Sequence, residues 1–154
     1  MTTRFTIRPA RPDEAGVLTD LCVRSKAYWG YDDAFMARAM SELTVDPDWI
    51  ADGLVLVAEH GALPAGVAAI ADGGDDVWEI ALFFVDPGHM GKGVGAALFA
   101  ALRTLARDRG ARRLTILSDP NAEAFYRRMG AVRIGEERSS SAPGRLLPLL
   151  ALDP

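Results

Sequence analysis

The stretch His89-Met90-Gly91-Lys92-Gly93-Val94-Gly95-Ala96 is where this chain carries the residue types for chemistry. An apolar run, Val77 to Val85, leads into it, and a segment with helical periodicity leads out. Gly91, Gly93 and Gly95 have no Cβ, so the backbone can turn tightly and a ligand can come close. The first amides of a helix lack internal acceptors, and the helix dipole is positive at that end. Together these features make a phosphate site, to which Lys92 adds a point charge. A tight turn alone needs fewer glycines than these three alternating ones.

The kind of phosphate ligand follows from the details. A Walker A loop needs Ser or Thr after its lysine, and Lys92 is followed by Gly93. A dinucleotide fingerprint is a closer rival, because Gly91, Gly93 and Ala96 fit G-x-G-x-x-A, and Asp119 lies where a ribose-binding acid belongs. Against it, five residues, Asp86 to Met90, separate the strand from the fingerprint. Only 35 residues follow Asp119, too few for the rest of a dinucleotide fold.

The elements that must position this loop can be read from periodicity. Phe5 to Arg8 is a short strand closed by Pro9. Val17, Leu18, Leu21 and Cys22 repeat at helical spacing, and Gly30 stops the run. A second helix covers Ala34 to Leu43, capped by Asp32 or Asp33. Leu54 to Ala58 and Gly66 to Ile70 form a hairpin around Gly61 to Pro64. The turn Asp72 to Asp76 lacks the spaced ligands of a calcium loop. Val77 to Val85 is apolar on both faces, as in a strand at the centre of its sheet. Val94, Ala97, Leu98, Ala101, Leu102, Leu105 and Ala106 make one helix face, with Gly110 just past its end. Leu114 to Leu117 is a fifth strand. Asp119 and Pro120 open a helix as cap and first-turn proline, and that helix ends at Gly130. Val132 to Gly135 and Leu146 to Leu152 are the last strands, and Pro148 places the latter at an edge or a bulge. The order is β-α-α-β-β-β-α-β-α-β-β, an α+β (mixed α/β) fold with helices on both faces of one sheet.

Composition excludes several classes. The chain has 154 residues, 49% hydrophobic and 25% charged, which is globular rather than disordered. The single cysteine, Cys22, rules out an internal disulfide and any zinc site of several thiolates, and no metal is expected. Residues 1–88 hold 6 basic and 15 acidic side chains, residues 89–154 hold 11 and 6. The split suits an anionic ligand on the C-terminal part. A pI of about 5.1, with no basic run among aromatics, disfavours nucleic acid. Met1 to Phe5 carries no apolar signal segment, and no apolar run nears the roughly 20 residues of a membrane span. A soluble cytoplasmic protein is expected.

The stretch Val85-Asp-Pro-Gly-His-Met-Gly-Lys-Gly-Val-Gly-Ala-Ala-Leu resembles the coenzyme A loop of the GNAT N-acetyltransferase superfamily, with its pattern Q/R-x-x-G-x-G/A. Asn121-Ala-Glu-Ala-Phe125-Tyr126-Arg-Arg-Met-Gly130 resembles that family's later motif. The element order matches as well, so the resemblance covers nearly the whole chain. One departure is Met90, which stands where the family carries Gln or Arg and removes a polar side chain from the pyrophosphate site.

The resemblance implies a GNAT-like fold: one N-acetyltransferase domain over 1–154, with a single mostly antiparallel sheet of six to seven strands. It implies acetyl-CoA as co-substrate. The backbone of Phe83, Phe84 and Val85 would lie against pantetheine, and Met90, Gly91, Lys92, Gly93, Val94, Gly95 and Ala96 would surround the pyrophosphate. Asn121 would bond the pantetheine arm, with Phe125 beside it. Tyr126 matches the family's general acid. An amine attacks the thioester, an oxyanion forms that a backbone amide such as that of Val85 can stabilise, and a phenol protonates the departing sulfur. Glu79, the one charged residue within the apolar strand, is the candidate base, direct or through water: either buried with a raised pKa, or solvated at a strand end. His89 is a weaker base candidate.

The acceptor, a primary amine of a small molecule or a protein, would meet Tyr28, Trp29 and Tyr31 near Asp32, Asp33 and Phe35. Arg145, in the polar loop from Ser139, would meet a carboxylate. Leu149 and Leu150 would permit a homodimer. The rival readings are a non-catalytic coenzyme A-binding regulatory domain and a nicotinamide dinucleotide-binding oxidoreductase.

Overall fold

Apolar side chains on both faces of one sheet decide how this chain folds. A computed structural model describes residues 5–139 and 144–154. Met1 to Arg4 and Ser140 to Pro143, parts of the N-terminal and polar-loop readings above, lie outside the described residues. The strands are β1 (Thr6–Pro9), β2 (Val55–His60), β3 (Leu63–Asp72), β4 (Val77–Val85), β5 (Arg113–Leu117), β6 (Val132–Arg138) and β7 (Leu146–Leu152). The helices are α1 (Ala15–Ala27), α2 (Asp33–Leu43), α3 (Pro47–Ala51), α4 (Val94–Asp108) and α5 (Glu123–Arg128). The strands form one sheet in the order β1-β2-β3-β4-β5-β7-β6, antiparallel throughout except at β4 and β5. The expected order holds, with α3 added. A doubly wound parallel sheet, which the dinucleotide reading needs, is not what forms.

Each face of the sheet carries its own core. Val94, Leu98, Phe99, Leu102 and Ala106 of α4 pack with Tyr126 of α5 on Leu56, Ala68, Ile70, Trp78, Leu114 and Leu150. Leu18, Leu21 and Cys22 of α1 pack with Phe35, Ala39 and Leu43 of α2 on Val55, Val57, Val67, Ala69 and Leu82. Each large side chain buried in these layers contributes about 1.5–3 kcal/mol. Asp32 caps α2, its carboxylate accepting the Phe35 N–H at 2.8 Å. Val17, counted in the apolar stripe of α1, is 52% exposed. No helix among the described residues is long and apolar enough to cross a membrane.

β4 is central, as its composition predicts, but it is not buried along its whole length. Pairing with β3 skips Ala81: Ile80 faces Ile70, and Leu82 faces Ala69. The bulge reverses the alternation. Trp78 and Ile80 before it, and Phe83 and Val85 after it, belong to the α4 layer. Leu82 and Phe84 belong to the α1/α2 layer. Glu79 is exposed, so of the two alternatives for it the solvated one holds: α1 and α2 cover Leu82 and Phe84 and leave Glu79 open.

Two further expectations change. β7 is interior, between β5 and β6, and Pro148 lies just beyond its last pair with β5, Leu117–Leu149. The irregularity falls on the partner strand, between Arg133 and Gly135. Leu150 is wholly buried in the chain's own core and Leu149 lines a cavity, so neither forms an apolar face for a second copy.

Arg8 ties β1 to β2 and to the entry of α1. It meets both carboxylate oxygens of Glu14 at 2.8 Å and Glu59 at 2.8 and 3.2 Å, while the Arg11 N–H donates to Glu14 at 2.6 Å. The hydrogen bonds from Arg8 hold the Glu14 carboxyl down to about 2, against an ordinary 4.5. A lowered carboxyl stabilises the fold above its unfolded pKa and loses that contribution as pH falls through the folded one. Glu14→Gln is therefore expected to cost about 1–3 kcal/mol at neutral pH. The gap between variant and wild type in denaturant unfolding should close as pH drops from 4.5 toward 2. A gap that stays constant over that range would contradict this.

Candidate active site

The one parallel pair in the sheet comes apart early. β4 and β5 pair only at Val77–Arg113, Trp78–Leu114 and Glu79–Thr115. From Ile80 onward β4 bonds to β3 alone, while β5 from Leu114 onward bonds to β7. A cavity of about 1050 Å³ opens in this split, between Ile80–Val85 on one side and Thr115–Leu117 on the other. Six β4 residues thus present a backbone edge with no strand partner on that side, and buried backbone groups need partners.

The glycine loop closes one end of the cavity. Gly91 and Gly93 have φ of 76° and 84°, the left-handed region that glycine enters without strain. Gly93 is the N-cap of α4, whose first ladder bond runs from the Ala97 N–H to the Gly93 carbonyl at 3.2 Å. The amides of Val94, Gly95 and Ala96 form the first turn, where a helix offers no internal acceptor. A Cβ on Gly91 or Gly93 would meet nothing within 4 Å, so the space over the loop is open. A Cβ on Gly95 would meet Phe125 at 3.1 Å, so that glycine lets α5 approach α4. Met90, Gly91, Gly93, Val94, Gly95 and Ala96 line the cavity, as do Phe83, Phe84, Val85, Asn121 and Phe125. Lys92 is exposed outside its lining.

Tyr126 sits inside, 6% exposed, on α5. Its ring centroid lies 5.8 Å from Phe83, 6.2 Å from Phe99 and 5.4 Å from Phe125. Burial, reinforced by the charge of Asp119, pushes its phenol well above the ordinary value. It is held as a neutral phenol, a proton donor. Glu79 also lines the cavity, at the exposed point where the strands part. His89 lines it too and is bonded to Asp86 at 3.2 Å.

The acceptor-side expectations are met unevenly. Trp29 lines the cavity; Tyr28, 58% exposed, does not. Tyr31 stacks on Phe35 at 4.1 Å, and its hydroxyl donates to Asp119 at 2.7 Å. Arg145 lines the cavity, but the carboxylate near it belongs to this chain: Asp119 is 3.8 Å away, and Arg145 donates to the Tyr31 oxygen at 2.8 Å. Asp119 does not cap α5, whose N-cap is Ala122. It takes Lys26 at 2.5 Å instead. Burial pushes its carboxyl up, but the bonds from Lys26 and Tyr31 outweigh this and hold it below the usual range. Sequence reasoning missed Lys26. The available signal was its type: only Lys26 and Lys92 are lysines among 17 basic residues. Among the described residues, no group of three or more His, Cys, Asp or Glu is placed to hold a metal.

Residues 34–142 match the family model described as an acetyltransferase (GNAT) domain. The chain belongs to the GNAT acetyltransferase family. No curated protein matches the sequence. Among solved structures, a GCN5-related N-acetyltransferase from Rhodopseudomonas palustris is 26% identical, with a TM-score of 0.77, covering 99% of this chain and 96% of that one. The PaiA N-acetyltransferase from Thermoplasma acidophilum, solved in complex with coenzyme A, is 11% identical with a TM-score of 0.77, covering 97% and 99%. The ribosomal-protein-S18-alanine N-acetyltransferase from Escherichia coli is 19% identical with a TM-score of 0.70, covering 97% and 94%.

Gly95→Val tests the packing of the loop. Its added methyls must displace Phe125, so stability should fall by about 1–3 kcal/mol. Gly91→Ala, strained only by its positive φ, should cost about 1 kcal/mol. Chemical denaturation that ranks the two in the opposite order would contradict the close approach at Gly95.

Proposed function

We propose that the chain, as a single domain over 1–154, transfers an acetyl group from acetyl-CoA to a primary amine of a small molecule or protein. The observation that carries this reading is the split between β4 and β5, with an open glycine loop at its end and a buried neutral tyrosine inside it. The setting is cytoplasmic, in keeping with the unpaired, buried Cys22.

The residues present fit acetyl-CoA, which supplies the acetyl group as a thioester when bound. The first-turn amides of α4 and the open loop at Gly91 and Gly93 hold the pyrophosphate. Met90 adds no charge there, so backbone amides and the helix dipole carry most of the binding. The open edge of β4 from Ile80 to Val85 takes the amides of the pantetheine arm as a further strand would, with Asn121 and Phe125 on the opposite side. A backbone amide on that edge polarises the acetyl carbonyl. Tyr126 Oη gives its proton to the departing sulfur. Glu79, at the solvent-facing mouth, takes the proton of the attacking amine directly or through water. The acceptor enters past Trp29 and Glu79. Both acceptor kinds stay open, since a carboxylate and an aromatic face suit any cation with an apolar body.

The test is an amine panel of tyramine, spermidine and a peptide beginning with alanine, with release of free thiol as readout. Wild type should turn over at least one of them. Tyr126→Phe should lower kcat by about 10²–10⁴-fold while acetyl-CoA binding stays close to wild type. Full activity in Tyr126→Phe would remove the tyrosine from the chemistry. Acetyl-CoA binding with no turnover of any panel member would favour a non-catalytic coenzyme A-binding domain.

A further inference from the structure

One carboxylate gathers the donors of four chain segments at the edge of the cavity. Asp119, just after β5, accepts the Lys26 ammonium at the end of α1 at 2.5 Å. It accepts the Tyr31 hydroxyl, from the connection between α1 and α2, at 2.7 Å. It accepts the Asn121 backbone and side-chain N–H groups at 2.8 and 3.0 Å. Arg145, at the start of β7, completes the set through the Tyr31 oxygen, while its backbone carbonyl accepts the Ser139 N–H at 2.8 Å. Lys26 and Arg145 lie over the Tyr31 ring at 5.0 and 5.1 Å from its centroid. The Asp119 side chain is 14% exposed, and that of Lys26 is 16% exposed. Charged hydrogen bonds in such a half-buried setting are stronger than those on an open surface.

The geometry assigns Asp119 the role of a positioning residue: it latches the α1–α2 connection and the start of β7 to the end of β5, and so sets the acceptor side of the cavity. Three facts support a role beyond generic stability. Lys26, Asp119, Asn121 and Arg145 all line the cavity. The segments joined are distant in sequence, with Lys26 and Tyr31 lying 93 and 88 residues from Asp119. β4 and the glycine loop share none of these bonds, and Asn121 is the one member of the network that also faces the proposed coenzyme A side. The latch thus acts mainly on one ligand: its loss loosens the acceptor wall and leaves the β4 edge and the glycine loop intact.

Asp119→Asn keeps the shape and removes the charge. Tyr31→Phe removes a single hydroxyl and serves as the milder variant. Hydrogen exchange should speed up in residues 24–33 and 144–149 of both variants, with α4 unchanged. This arm is independent of the acetyltransferase reading, and exchange that rises throughout the chain, or nowhere, would overturn the latch. The kinetic arm rests on that reading. It uses whichever of tyramine, spermidine or the alanine peptide wild type turns over fastest. In Tyr31→Phe, which leaves the Asp119 charge near Tyr126 and its bonds to Asn121 in place, the acceptor KM should rise about tenfold or more, with kcat within about threefold and the acetyl-CoA Kd within about twofold. Equal losses in acceptor KM and acetyl-CoA affinity, or an unchanged acceptor KM, would overturn it. If no panel amine is acetylated by wild type, the acetyltransferase reading is what fails, and the exchange arm alone decides the latch.

Discussion

The site depends on a hydrogen-bond ladder that stops. Two parallel strands, β4 and β5, pair over three residues and then part. Backbone groups require partners, so this edge of six apolar residues, which no strand completes, offers its free N–H and C=O groups to water or to a ligand with amide chemistry. The rest of the fold maintains that opening. α4 and α5 pack over one face and hold the aromatic cluster of Phe83, Phe99, Phe125 and Tyr126 beside it. α1 and α2 cover the other face around Leu82 and Phe84. β3 secures β4 on its far side from Trp78 to Val85, with the one bulge at Ala81.

The electrostatics divide the cavity into two ends. At the loop, helix-terminal amides supply partial positive charge where a phosphate group would sit. At the other end, the cations Lys26 and Arg145 flank the single carboxylate of Asp119 around the stacked Tyr31 and Phe35 rings. Tyr126 lies between these regions and is kept neutral chiefly by burial, with the Asp119 charge adding to it. A phenol held in that state is a proton donor at ordinary pH, which is the form the proposed general acid requires. The exposed Glu79 stands at the mouth of the same cavity, open to solvent.

Much of this was legible in the sequence because the signals are local. The glycine loop and α4 stand out by glycine spacing and by a helical stripe that needs no partner to be read. The two motifs around Gly91 and Tyr126 are contiguous stretches, and the family follows from them. What failed or stayed open depended on distant parts of the chain. Glu79 stayed open between buried and solvated in the sequence, because burial depends on which helices cover it, and the bulge at Ala81 resets the alternation. Asp119 reads as a cap because it precedes proline, but α5 starts later with Ala122 as its N-cap; Asp119 Oδ1 still accepts the Asn121 N–H, while Lys26 and Tyr31, far away in sequence, take Oδ2. The point at which β4 leaves β5 has no sequence mark at all. It emerges from the register of both strands with their other neighbours.

The central claim is that the split and the glycine loop form a coenzyme A cradle, and calorimetric titration of the whole chain with acetyl-CoA, with NADH as control ligand, tests it most directly. The account predicts saturable one-to-one binding of acetyl-CoA and none of NADH. Absence of acetyl-CoA binding, or NADH binding of equal strength, would contradict it, and the roles given to Tyr126 and Glu79 would fall with it.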